Sequence, residues 1–120
     1  MQGRICRFEI HASQPQVLVD FYSALFGWKF TRIEPIGIWR IETGDGIGGG
    51  LIPRPCAKPG DSPAINSFIC TVEVAALDRT LAGALAKGAV LALPKMTVPG
   101  LGSFAYIKDP DGNLLGLLQP

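Results

Sequence analysis

The sequence predicts an α+β fold built from two paired β-α-β-β-β modules, whose curved mixed sheets enclose a cleft. Three observations carry this expectation. The chain has 120 residues, 48% of them apolar and 18% charged, which suits one compact domain with a sizeable core. Its apolar pattern alternates between period two and helical spacing in the same order twice. A connector with three prolines and a glycine (RPCAKPGDSPA) separates the two passes. The modules cover about residues 4–53 and 66–119, with the linker at about 54–65.

Residues 5–10 (ICRFEI) alternate faces as a strand: Cys6, Phe8 and Ile10 point one way, and Arg7, Glu9 and His11 the other. Pro15 then opens a helix with Ser13 as its N-cap. Val17, Leu18, Phe21, Leu25 and Phe26 supply its apolar stripe, and Gly27 ends it. Strands follow over residues 28–33, 38–42 and 47–52, parted by Glu-Pro-Ile-Gly and Gly-Asp-Gly turns. In the second pass Phe68, Cys70, Val72 and Val74 alternate with Ile69, Thr71 and Glu73. A helix runs from about Leu77 to Lys87, with Leu81 and Leu85 on its apolar side and Gly88 as its stop. Strands at 89–93, 103–108 and 114–119 complete the module. Each sheet then covers one face with its helix and leaves the other free.

The charge balance is 11 Lys+Arg against 10 Asp+Glu, so no electrostatic footprint for nucleic acid or an anionic membrane exists. Three cysteines (Cys6, Cys56, Cys70) are sparse, and Cys6 and Cys70 read as small buried hydrophobes of a reduced compartment. The N-terminus has no apolar signal region, and the apolar stretch at residues 77–93 is broken by Asp78, Arg79 and Lys87. A cytoplasmic protein without a membrane span is expected.

At this point the residues resemble a known family. The segment FEIHASQPQVLVDFYSALFGWKF is similar to the opening module of the vicinal oxygen chelate superfamily. That superfamily includes glyoxalase I, extradiol dioxygenases, fosfomycin-resistance enzymes and bleomycin-binding proteins. GGGLIPRP, LDRTLAGALAKGA and YIKDPDGNLLGLLQP continue the likeness, and the FY…FGW and DPDGN segments are its most specific parts. The closest flavour is the small glyoxalase-like group. The resemblance implies the fold strongly and a reaction only weakly, because function lives in the site.

Enzymes of the family hold a divalent metal through His and Glu on four strands, and the metal chelates two neighbouring substrate oxygens. Counted from Phe21 and Tyr22, from Leu77 and from Asp111-Gly112, three of those positions are Arg7, Ile69 and Gly116. The match of Asp45-Gly46 to Asp111-Gly112 places the fourth at Gly50. Arginine stays protonated, and glycine and isoleucine carry no donor, so no metal cofactor is expected at Arg7, Gly50, Ile69 and Gly116. A displaced metal at His11, Glu9 and Glu73 is the alternative, and it would imply a lyase, isomerase or dioxygenase. The plainer reading pairs Arg7 with Glu9 or Glu73 and lets His11 cap a strand end.

Other motifs reduce to turns. Gly44, Gly46 and Gly49 match a dinucleotide fingerprint in spacing, but Pro53 and Pro55 forbid the helix it needs. The segment Asp109-Pro110-Asp111-Gly112-Asn113 has its glycine in the wrong place for a calcium loop, and it reads as a tight hairpin. His11 is the only histidine, and no triad can be built round it, although an acid–base pair with Glu9 or Glu73 can.

Phe104 and Tyr106 share a strand face, while Phe21, Tyr22, Phe26 and Trp28 belong to the core. A ligand pocket is therefore expected from Arg7, Glu9, His11, Ile69, Thr71, Glu73, Phe104 and Tyr106, with Leu114 and Leu118 beside the rings. The expected function is a small organic molecule bound in the cleft of a homodimer without the usual metal, as in sequestration of a toxic compound. A metal-dependent enzyme and a non-catalytic module of a larger system are the competing classes.

Overall fold

The computed structural model describes residues 6–54, 69–100 and 102–120. The expected connector and Cys56 lie outside these residues, apart from Arg54, whose N–H donates to the Ala12 carbonyl at 2.9 Å. The chain divides into two compact units, Met1–Ala57 and Lys58–Pro120.

The first unit contains β1 (Arg7–Ala12), α1 (Pro15–Phe26), β2 (Lys29–Ile33), β3 (Ile38–Glu42) and β4 (Gly48–Pro53). Its sheet runs β1-β4-β3-β2, with β1 parallel to β4 and the other pairs antiparallel. The second unit contains β5 (Thr71–Glu73), α2 (Leu77–Ala86), β6 (Val90–Val98), β7 (Gly102–Lys108) and β8 (Leu114–Gln119). Its order, β5-β8-β7-β6, repeats the first with the same single parallel pair. The β-α-β-β-β order and mixed sheets are those the sequence predicts. The parallel pair follows from the helix, since a crossover connection returns the chain in the same direction.

Helix α1 begins at Pro15, whose fixed φ suits the first helical position. The cap is Gln14 and not Ser13, and no side chain caps it. Proline pushes the residue before it out of the helical region, and Gln14 sits at φ −129° and ψ 88°. Leu18, Val19, Phe21 and Tyr22 are buried, whereas Val17, expected in the stripe, is 43% exposed. The Tyr22 ring stacks on Trp28 at 5.2 Å and meets Phe21 edge-on at 5.0 Å. Phe8 and Phe26 extend this cluster, each within 6 Å of Trp28. Gly27 closes the helix at φ 72°, its N–H bonded to the Ser23 carbonyl.

In α2 the sheet-facing residues are Leu77 and Ala84, with Leu81 half-buried, and Leu85 points away. They cover Ala105, Ile107, Leu115 and Leu117, all buried on β7 and β8. No side chain of the helix's own entry caps it; Gln119 of β8 accepts the Leu77 N–H at 2.8 Å instead. A helix terminus leaves its first N–H groups unpaired, so this long-range bond fastens α2 to its sheet.

Two further expectations need correction. Strand β6 does not stop at Leu93 but continues through Pro94 to Val98, with register shifts at Leu91/Leu93 and Leu93/Met96. It is the edge of its sheet, where a proline costs no ladder bond. Cys6 and Cys70 are exposed rather than buried. Each lies just before the first residue of its strand, where face parity no longer implies cover by the helix.

The Asp109–Asn113 turn is a hydrogen-bonded hairpin. Asp109 is 2% exposed; its Oδ1 accepts the N–H groups of Asp111 and Asn113, and its Oδ2 accepts from the Asn113 side chain. Among the described residues no helix is long and apolar enough to cross a membrane.

Candidate functional site

The register defines the face of the first sheet opposite α1. Phe8, Gly49 and Ile41 align on the α1 side, so Arg7, Glu9 and His11 of β1 project from the other. Gly48 and Gly50 of β4, Arg40 and Glu42 of β3 and Lys29 and Thr31 of β2 share that face. Gly50 lies between Glu9 on one side and Arg40 on the other.

Arg7 extends across this glycine strip. A Cβ placed on Gly50 would come within 2.7 Å of Arg7 Nη2, and within 3.8 Å of the Trp39 carbonyl. The absent side chain thus makes the bed on which the guanidinium lies. Arg7 does not pair with Glu9, one of the two partners expected for it. Glu9 instead meets His11, with Oε2 3.5 Å from Nε2, both groups partly exposed. Glu42 is 3.9 Å from Lys29 Nζ. Arg32, on the α1 side, lies over Trp39 at 5.8 Å and pairs with Glu34.

A cavity of about 450 Å³ opens at the β3–β4 end of this unit. Arg7, Arg40, Ile33, Ile38, Glu42 and Gly48 are among its lining. Glu9 and His11, both expected to bind a ligand, are not in the lining of this cavity. Arg40 was not singled out by the sequence, although its parity with Glu42 was readable. Its cross-strand position beside Gly50 is a matter of non-local register.

In the second unit Thr71 lies opposite Gly116, and Gly116 opposite Tyr106. Phe104 and Tyr106 meet edge-on at 6.0 Å. With Leu118, these residues line a smaller cavity of about 220 Å³. A Cβ on Gly116 would meet Thr71 Oγ1 at 2.6 Å and Tyr106 Cε1 at 3.1 Å. Ile69 and Glu73 are not in that lining; Ile69 is partly exposed just before β5, and Glu73 is exposed at its end.

The two glycines are equivalent in register: Gly50 faces Glu9 across a parallel pair, and Gly116 faces Thr71. Where a divalent ion would need carboxylate or imidazole ligands, the first sheet offers a guanidinium lying over a glycine. The second offers a hydroxyl and a ring edge packed over another glycine. A fixed cation repels a second cation, and neither pair contains a carboxylate or an imidazole. Among the described residues no three His, Cys, Asp or Glu side chains gather closely enough to hold one elsewhere.

The comparisons with known proteins agree with this architecture. The model of the Glyoxalase/Bleomycin resistance protein/Dioxygenase superfamily matches residues 4–117. CFP32 of Mycobacterium tuberculosis, provisionally named a glyoxylase, is 27% identical over 98% of this chain. This chain spans 44% of that protein's length, less than half of the curated relatives it matches. A glyoxalase family protein from Bacillus cereus superposes with a TM-score of 0.77 at 17% identity, covering 99% of this chain and 95% of its own. A glyoxalase/bleomycin resistance protein/dioxygenase family enzyme from Burkholderia phytofirmans gives 0.75 at 15% identity, with 95% and 96% covered. With its two β-α-β-β-β units and a family match over almost its whole length, the chain belongs to the glyoxalase/bleomycin resistance protein/dioxygenase superfamily.

Proposed function

We propose that this chain binds a small organic molecule on its sheet faces without the divalent metal that enzymes of its family use. The single observation that carries the reading is the Arg7 guanidinium, 2.7 Å from where a Gly50 side chain would begin. It supports the reading because Arg7 stands at a position where the resemblance implies a metal ligand, and a guanidinium carries a positive charge instead. The cavities beside Arg7 and beside Phe104 and Tyr106 join apolar walls to a few polar groups, as small-molecule sites do. Sequestration of the molecule, as by bleomycin-binding members of the family, is the simplest activity for such a site. A homodimer is part of this proposal.

Metal content by mass spectrometry tests it, on protein purified without an affinity tag and incubated with Zn, Fe(II), Mn, Ni and Co. Stoichiometry far below one per chain is expected. One metal per chain, lost in His11→Ala, would replace this reading with an enzyme using His11, Glu9 and Glu73. Sedimentation of the same sample reads the oligomeric state.

A further inference from the structure

Among the described residues, the first sheet carries two arginines with no acidic partner. Glu9 is engaged by His11 and Glu42 by Lys29, while Arg32 has Glu34. Among the described residues neither Arg7 nor Arg40 has a carboxylate within ion-pair distance. Both line the same cavity and both adjoin Gly50, Arg40 as its cross-strand partner and Arg7 by lying over it. Two guanidiniums lining one cavity repel each other, and an anion between them turns that repulsion into attraction. Gly48 lines the cavity without a side chain, so a flat group can approach the sheet there, beside the Gly50 site that Arg7 covers. Ile33 and Ile38 form an apolar wall beside the charged pair.

We propose that Arg7 and Arg40 clamp the carboxylate of a small organic acid whose apolar body rests against Ile33 and Ile38. The guanidinium fork matches a carboxylate in shape and binds it with two parallel N–H donors. The inference deepens the small-molecule reading above and rests on it, because it names the ligand class that the site takes.

The test is a two-dimensional amide NMR titration of the protein with sodium benzoate, and separately with benzamide, at constant ionic strength. Benzoate is expected to give saturable shifts at Gly48, Gly49 and Gly50, and benzamide to bind about tenfold more weakly. Arg40→Gln and Arg7→Gln should each weaken benzoate by about the same factor, with Arg40→Lys in between. Gly50→Ala provides a route that leaves both charges in place: its methyl displaces the Arg7 head, and benzoate should weaken again. The absence of saturable benzoate shifts overturns the clamp, as does an Arg40→Gln variant that binds benzoate unchanged. Equal affinity for benzoate and benzamide overturns the clamp alone and leaves the small-molecule reading standing. One tightly bound metal per untagged chain removes that broader reading.

Discussion

Gly48, Gly49 and Gly50 are consecutive on one strand, yet the structure gives the last two different reasons for having no side chain. A Cβ on Gly49 would fall 2.6 Å from the Phe8 carbonyl oxygen and 2.8 and 2.9 Å from two carbons of its ring. Phe8 is the direct partner of Gly49 in the parallel ladder, so its carbonyl cannot retreat without disturbing β1–β4 pairing. On Gly50 the close atom is Arg7 Nη2, the end of a long side chain, and the nearest backbone is 3.8 Å away. Overpacking of the first kind costs about 1–3 kcal/mol. Replacing glycine by alanine also restricts the unfolded chain, which stabilises by about 0.4–1 kcal/mol at either position. Gly49→Ala should therefore destabilise by about 1–2 kcal/mol, and Gly50→Ala should remain within about 0.5 kcal/mol of the parent. Urea unfolding followed by far-UV circular dichroism measures both. Equal losses, or a neutral Gly49→Ala, would refute the claim that backbone blocks one position and a movable guanidinium the other.

Asp109→Ala removes the buried acceptor of the Asp111 and Asn113 N–H groups and should cost about 2–3 kcal/mol in the same assay. Tyr22→Ala empties the centre of the ring cluster, where the side chain is 1% exposed, and should cost about 3–5 kcal/mol; Trp28 fluorescence shifting to longer wavelength reports the opened site. Lys95→Ala breaks the 3.1 Å pair with Asp78, but both groups are well exposed, so the change in unfolding free energy should be no more than about 0.5 kcal/mol.

The order of elements was legible because it depends on local chemistry. Period-two runs, the Pro15 start, the Gly27 stop and the hydrogen-bonding Asp109–Asn113 turn each act over a few residues. Errors arose where a neighbour distant in sequence decides. Pro94 looks like a strand terminator, but β6 lies at a sheet edge and continues past it. The misplaced cap is the local exception: Ser13 looks like a cap, but the proline two residues on places the helix boundary at Gln14.

The sequence by itself determined the two-module order of the chain. It also determined the side chains at the four positions where the resemblance implies metal ligands, since residue identity needs no coordinates. Only the tertiary structure decided what fills the space they leave. Arg7 and Gly50 are far apart in the chain, and parallel pairing of β1 with β4 brings the guanidinium over the glycine. Antiparallel pairing of β3 with β4 then sets Arg40 on the other side. Strand register is a non-local property, so the arginine pair became visible only once the strands were paired.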